Sequence, residues 1–203
     1  ANNSDREPGG GPIMPGTYTV RISYGDAMDS TSVDVLTDPR KTYNKDNWEA
    51  QVALEKEYIK YGLAAKKAYM QVKDAEKSLG QIKKVMAMQG DMPDSVKNDM
   101  GDYVKSMKKE LKWLDLMYRS DPDKQGIVRS PDNLGAIGGM AGRYLSEYYH
   151  PVNETQKIAM EMYKQKVEEV LKEVNAFFEK EWPTFKQEVE KVEMPLFKQT
   201  EAI

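Results

Sequence analysis

The sequence predicts a mainly α protein: an antiparallel bundle of long helices preceded by a short β-hairpin. Three observations carry that expectation. A seam of apolar and small residues runs from Leu54 to Met86 in alternating steps of four and three. Later segments repeat the same stepping between proline- and glycine-rich breaks. Ahead of them all, residues 17–24 alternate with a period of two.

Composition fits elongated, surface-rich helices better than a thick globular core. Hydrophobic residues make up 39% of the 203 residues and charged residues 31%, in a chain long enough for one to two domains. The formal net charge is −3 with both signs mixed along the chain, which argues against nucleic acid as a partner. No apolar run approaches the ~20 residues of a membrane span. Cysteine is absent, which removes disulfides, thiolate nucleophiles and Cys-ligated metals together. The chain opens at Ala1 without an initiator Met or a signal-peptide pattern, so it reads as a mature or excised piece of a longer protein.

Residues 1–11 end in Pro8-Gly9-Gly10-Gly11 and read as a flexible linker. Pro15-Gly16 signals a turn. Tyr18, Val20, Ile22 and Tyr24 then alternate with Thr17, Thr19, Arg21 and Ser23, predicting a strand with one buried face. Gly25-Asp26 opens a loop, and Thr31, Val33 and Val35 mark a second strand. The segment 12–40 is therefore a hairpin closed by Asp38-Pro39, and 41–203 is the helical domain. A lone hairpin is marginal in water, so these strands either complete another sheet or lean on helices.

The first helix is expected from about Asn47, with its seam at Leu54, Tyr58, Tyr61, Ala65, Ala68, Val72, Ala75, Leu79, Ile82 and Met86. Gly90, Asp91 and Pro93 stop it. A second helix begins at an N-cap of Asp94 or Ser95, with Val96, Met100, Tyr103, Met107, Leu111, Leu114 and Tyr118 on its seam. Residues 120–132 read as a loop. A glycine-rich third helix is expected over 134–149, with Leu134, Ile137, Ala141, Leu145 and Tyr148 on one side. Asn153 and Gln156 form a capping box for a fourth helix, seamed by Met160, Tyr163, Val167, Val170, Val174 and Phe177. Pro183 breaks or kinks it at Trp182, and a short last helix carries Phe185, Val189 and Val192.

Few residues suggest chemistry. Glu147-x-x-His150 has di-iron spacing, but such a site needs two of these motifs, and His150 is the sole histidine. Gly135, Gly138, Gly139 and Gly142 lack the spacing of a phosphate loop and point to close helix packing. No carboxylate pair stands out as a glycosidase dyad. The expectation is therefore no catalytic residues, no metal and no cofactor. Lys105, Lys108, Lys109 and Lys112 share one helix face, with Trp113 beside them. They form the candidate binding face, for a protein partner's acidic patch or an anionic glycan. Of the aromatics outside the seams or beside the hairpin, Tyr24, Tyr69, Tyr149 and Trp113 are candidates for docking the hairpin. Asn153-Glu154-Thr155 matches a glycosylation sequon but reads as a helix cap.

Several short motifs, in order, resemble a known family. Pro15-Gly16-Thr17-Tyr18-Thr19-Val20, followed by Asp38-Pro39-Arg40, resembles the last hairpin of the Ig-like module in bacterial sortilin-like proteins, the neuraminidase-repeat glycosyl hydrolase group. Residues 127–134, Pro151-Val152-Asn153-Glu154-Thr155-Gln156, Trp182-Pro183-Thr184-Phe185 and Met194-Pro195-Leu196-Phe197 continue the likeness. The resemblance implies a non-catalytic accessory or scaffolding C-terminal domain of a larger, exported bacterial β-propeller protein. Its hairpin would be the remnant of an Ig-like module, and its partners would be its own upstream domains or a partner subunit. Two alternatives stand beside it. One is part of a glycosidase- or sialidase-like enzyme whose active site lies in the propeller, and the other is a free-standing helical adaptor.

Overall fold

A computed structural model describes residues 13–88, 93–126, 130–145 and 147–192. The elements are β1 (Gly16–Tyr24), β2 (Ala27–Val35), α1 (Lys45–Met88), α2 (Asp94–Tyr118), α3 (Leu134–Tyr144) and α4 (Glu154–Ala176). A π-helical turn (Phe177–Glu181) then leads into α5 (Trp182–Lys191). The fold is mainly helical with a two-stranded hairpin ahead of the helices, as expected. The linker at 1–11, the break at Gly90 and Asp91, residues 127–129 and the closing Met194-Pro195-Leu196-Phe197 lie outside the described residues.

The described chain forms two units. One holds residues 13–52 with Glu147–Val152, and the other holds the described parts of Ala53–Ser146 and Asn153–Ile203.

In the first unit, β1 and β2 pair antiparallel from Gly16 opposite Val35 to Tyr24 opposite Ala27. Gly25 takes φ 56° at the first position of the two-residue turn, where a side chain would be strained. Directly opposed residues share a face, so Tyr18 stands with Val33 and Val20 with Thr31. On the other face Thr17 Oγ1 donates to Asp34 Oδ1 at 2.7 Å. The buried face expected for β1 is not found: Val20 is 45% exposed and Ile22 69%. Two strands make a single layer, and a sheet face is buried only by a second one. After the hairpin, the Arg40 guanidinium donates twice to Asp38, at 3.0 and 2.9 Å. Trp48 is buried among the rings of Tyr43, Tyr148 and Tyr149. The Lys41 ammonium lies 4.4 Å from the Tyr149 ring centre.

The second unit is the bundle. Its seams meet as the four-three stepping predicts, and Val72, Leu111, Val167, Val170, Val174 and Phe185 are fully buried. Two details differ from expectation, and a third, the expected break at Pro183, takes a specific form. Pro93, not Asp94 or Ser95, is the N-cap of α2, with no side-chain cap bond; Asp94 instead places its charge in the first turn. α3 ends at Tyr144 rather than Tyr149, because the Tyr144 carbonyl accepts from the Gln156 side chain at 2.7 Å instead of from another turn of helix. Tyr148 therefore leaves the α3 seam. The break at Pro183 is a widened turn: the Trp182 N–H reaches back to the Phe177 carbonyl. A π-turn relieves the clash that Pro183 would make in a regular helix, and the chain continues into α5. The capping box of α4 forms as expected, Asn153 and Gln156 exchanging bonds of 3.0 Å.

Candidate functional site

The densest polar chemistry lies in the bundle, where α1 meets α2. Asp115 sits on the inner side of α2, its side chain only 6% exposed. Three donors converge on its carboxylate. Lys73 Nζ of α1 lies 2.7 Å away, the Tyr69 hydroxyl donates at 2.9 Å, and Arg119 Nε donates at 2.9 Å to the second oxygen. Burial alone would raise the Asp115 pKa, but the bonds from Lys73, Arg119 and Tyr69 outweigh it and hold the group below the usual carboxylate range. Lys73 shows the mirror effect. Burial disfavours its charge, yet Asp115 and Glu76, the latter at 2.8 Å, push it up to about 12. With its oxygens occupied and its charge matched, Asp115 is an anchor between two helices and not a free base.

Beside this anchor, the Tyr118 ring lies 4.7 Å from that of Tyr69. The Tyr118 hydroxyl is buried without a hydrogen-bond partner among the described residues, and burial pushes its pKa up strongly. A second tyrosine pair, Tyr58 and Tyr163, also stacks at 4.7 Å. The Tyr58 hydroxyl donates to the Gly138 carbonyl at 3.0 Å. A Cβ on Gly138 would stand 2.9 Å from the Tyr163 ring, and one on Gly142 3.0 Å from the Tyr58 hydroxyl. The glycines of α3 thus serve close packing at Gly138 and Gly142, and Gly135 faces the Tyr118 carbonyl; Gly139 faces open space.

A cleft of about 430 Å³ opens next to the Asp115 anchor. Its apolar lining includes Leu79, Val104, Leu111 and Pro122. Its charged rim includes Lys83, Lys108 and Lys112 together with the carboxylates of Glu76, paired with Lys73, and Asp123, paired with Lys112. The lysine face read from the sequence is therefore divided. Lys108 and Lys112 line the cleft, whereas Lys105, Lys109 and Trp113 are exposed outside it. Lys105 pairs with Asp102 at 2.8 Å, and Lys112 with Asp123 at 2.6 Å and Asp121 at 3.6 Å. Among the off-seam aromatics, Tyr69 is spent on Asp115, Tyr149 on Trp48, and Tyr24 is 88% exposed. Glu147 and His150 lie on no helix, so they lack the one-face geometry of a di-iron ligand pair, and His150 is exposed.

Sequence reading missed Asp115, Val104 and Lys73 as members of this region. A signal existed for the pair of helices: Asp115 follows Leu111 by four and directly adjoins Leu114, so it sits on the edge of the seam. Among the described residues, no group of three or more His, Cys, Asp or Glu side chains is placed to hold a metal ion. No described helix is long and apolar enough to cross a membrane. No family model, curated protein or solved structure matches the chain.

Proposed function

We propose that the chain is a non-catalytic accessory domain of a larger, exported bacterial β-propeller protein, acting as a spacer and docking module. The hairpin is its docking element and the bundle its rigid body. The carrying observation is the open apolar face of β1, where Tyr18, Val20, Ile22 and Tyr24 stand on one side of a two-stranded sheet and are exposed among the described residues. Such a face fits the second layer of an Ig-like sheet, within the longer protein or in a partner subunit. The ordered motifs around Asp38-Pro39-Arg40 and Trp182-Pro183 support the propeller context. Support for a non-catalytic role comes from the bundle, whose most buried carboxylate is fully engaged by Lys73, Tyr69 and Arg119.

The test starts from the gene segment upstream of Ala1, where repeated Ser-x-Asp-x-Gly-x-x-Trp boxes are expected. Hydrogen exchange is then compared between this chain and the longer protein. Amides of Tyr18, Val20 and Ile22 should be more protected in the longer protein. Equal exchange in the two, or an upstream segment without such boxes, would sink the proposal. The isolated chain should leave aryl glycosides and sialosides intact. Turnover lost on substituting one of its own carboxylates would count against the non-catalytic reading.

A further inference from the structure

We infer that the cleft between α1, α2 and the turn after α2 binds a small amphipathic organic anion, an aliphatic or aryl body bearing one carboxylate or similar group. Three features of the cleft carry this. Its volume, about 430 Å³, falls within the ~300–1,000 Å³ typical of small-molecule sites. Leu79, Val104 and Leu111 are buried residues of the bundle core that also line the cleft, so its inner wall is apolar.

The charges at the rim are the second feature. Lys73 and Arg119 are committed to Asp115, and Lys112 to Asp121 and Asp123. Lys83 of α1 and Lys108 of α2 line the same cleft, and among the described residues neither has a carboxylate within ion-pair distance. Asp123 feels the charge of Lys108 but is bonded to Lys112. Two unspent cations thus border an apolar wall. An inorganic anion would leave that wall unused, and a neutral lipid would leave the cations unused. An organic anion satisfies both, through charge-assisted hydrogen bonds and burial of its body.

The third feature is Gly80. It lies inside α1, where glycine is the poorest helix former after proline, and it lines the cleft. A Cβ there would meet nothing within 4 Å. A larger side chain at this position of the lining would therefore find open space to occupy. The Asp115 anchor fixes the wall beside it, so the site is preorganised.

The experiment is a heteronuclear NMR titration of the full chain with octanoate, using octanol as the uncharged counterpart. Octanoate should saturate one site and shift amides around Leu79, Gly80, Lys83, Val104 and Lys108. Octanol should bind about ten-fold more weakly or worse, as should octanoate to a Lys83→Glu/Lys108→Glu variant, since each loses charge-assisted bonds. Lys105→Glu/Lys109→Glu makes the same charge change on α2 outside the cleft and should alter affinity by less than about two-fold. Gly80→Phe should block binding while circular dichroism stays unchanged, a second readout if the charge reversals disturb folding. Equal losses in the two double variants, undiminished binding to Gly80→Phe, or shifts confined to β1 would each overturn the assignment.

Discussion

The hairpin and the bundle both carry an amphipathic pattern, and only one of them buries it. Along α1 and α4 the four-three steps place Val72, Val167, Val170 and Val174 at 0% exposure. Along β1 the two-residue alternation places Tyr18, Val20, Ile22 and Tyr24 on one face just as regularly, yet all four are exposed. The periodicity of a segment determines which side chains stand together. Whether they leave water depends on an opposing surface, which the segment cannot provide for itself. The helices find theirs in one another. Among the described residues the two-stranded sheet has no second layer, and the proposed docking role rests on that open requirement.

Substitutions can break this contrast. Phe185 is fully buried, and its ring stands 5.2 Å from Tyr103 and 5.4 Å from Trp182. Phe185→Ala should cost about 3–5 kcal/mol in urea unfolding, the range for deleting a buried aromatic ring. Ile22→Thr removes a comparably apolar group from the open sheet face and should change stability by no more than about 0.5 kcal/mol. Comparable losses from the two would mean that the sheet face is covered in solution.

The Asp115 anchor comes next in size. Asp115→Ala leaves Lys73 half-buried with one partner fewer, and should cost about 2–4 kcal/mol. The pH dependence distinguishes the anchor from ordinary packing. The folded carboxylate titrates below its usual 3.8, so its stabilisation is complete above that value and disappears as pH falls through the depressed one. Lys73 is raised from 10.5 to about 12. Its share is complete below 10.5 and is lost as pH rises through 12. Thermal melts of Asp115→Ala should therefore show a shallower acid limb than the parent protein. An unchanged acid limb would mean that Asp115 is not ionised in the anchor.

These examples also show what could be read from the chain beforehand. The seams were legible because a helix face is a local pattern, and so was the Asn153–Gln156 capping box, which spans a single turn. The end of α3 was not, because it depends on the Gln156 side chain reaching the Tyr144 carbonyl from α4. Asp115 was hidden for a similar reason. An aspartate on a helix normally reads as a solvated face, and only Tyr69 and Lys73 arriving from α1 make it a buried anchor. The lysine face was half legible, since periodicity groups Lys105, Lys108, Lys109 and Lys112 but does not say which of them borders a cleft. The π-turn left only Pro183 as a trace.

Within the bundle, the glycines of α3 give a finer version of the same contrast. Gly138 is buried with the Tyr163 ring 2.9 Å from where a Cβ would stand, and that ring is held against Tyr58. Gly138→Ala should destabilise by about 1–3 kcal/mol through overpacking. Gly139, one residue on, has nothing within 4 Å. Gly139→Ala should stabilise by about 0.5–1 kcal/mol through helix propensity alone. Opposite signs at adjacent positions, measured by denaturant unfolding, would fix the rotation of α3 against α4.

The smallest effect on stability is expected from the largest change to the chain. Removing residues 1–40 takes away both strands but leaves Lys41, Tyr43 and Trp48 with their aromatic neighbours Tyr148 and Tyr149. It also leaves every buried residue of the bundle core. The continuous seams of α1, α2 and α4 bury themselves in one another, so helicity and a single cooperative melt should persist with at most a modest drop in midpoint. Any self-association should fall, because the deletion removes the open apolar face and the unpaired strand edges through which a second copy would add. Circular dichroism and sedimentation velocity on the shortened chain check the two halves of this argument separately. Loss of cooperative melting would show that the hairpin belongs to the folding core. Unchanged self-association would show that the sheet face is not the surface through which copies meet.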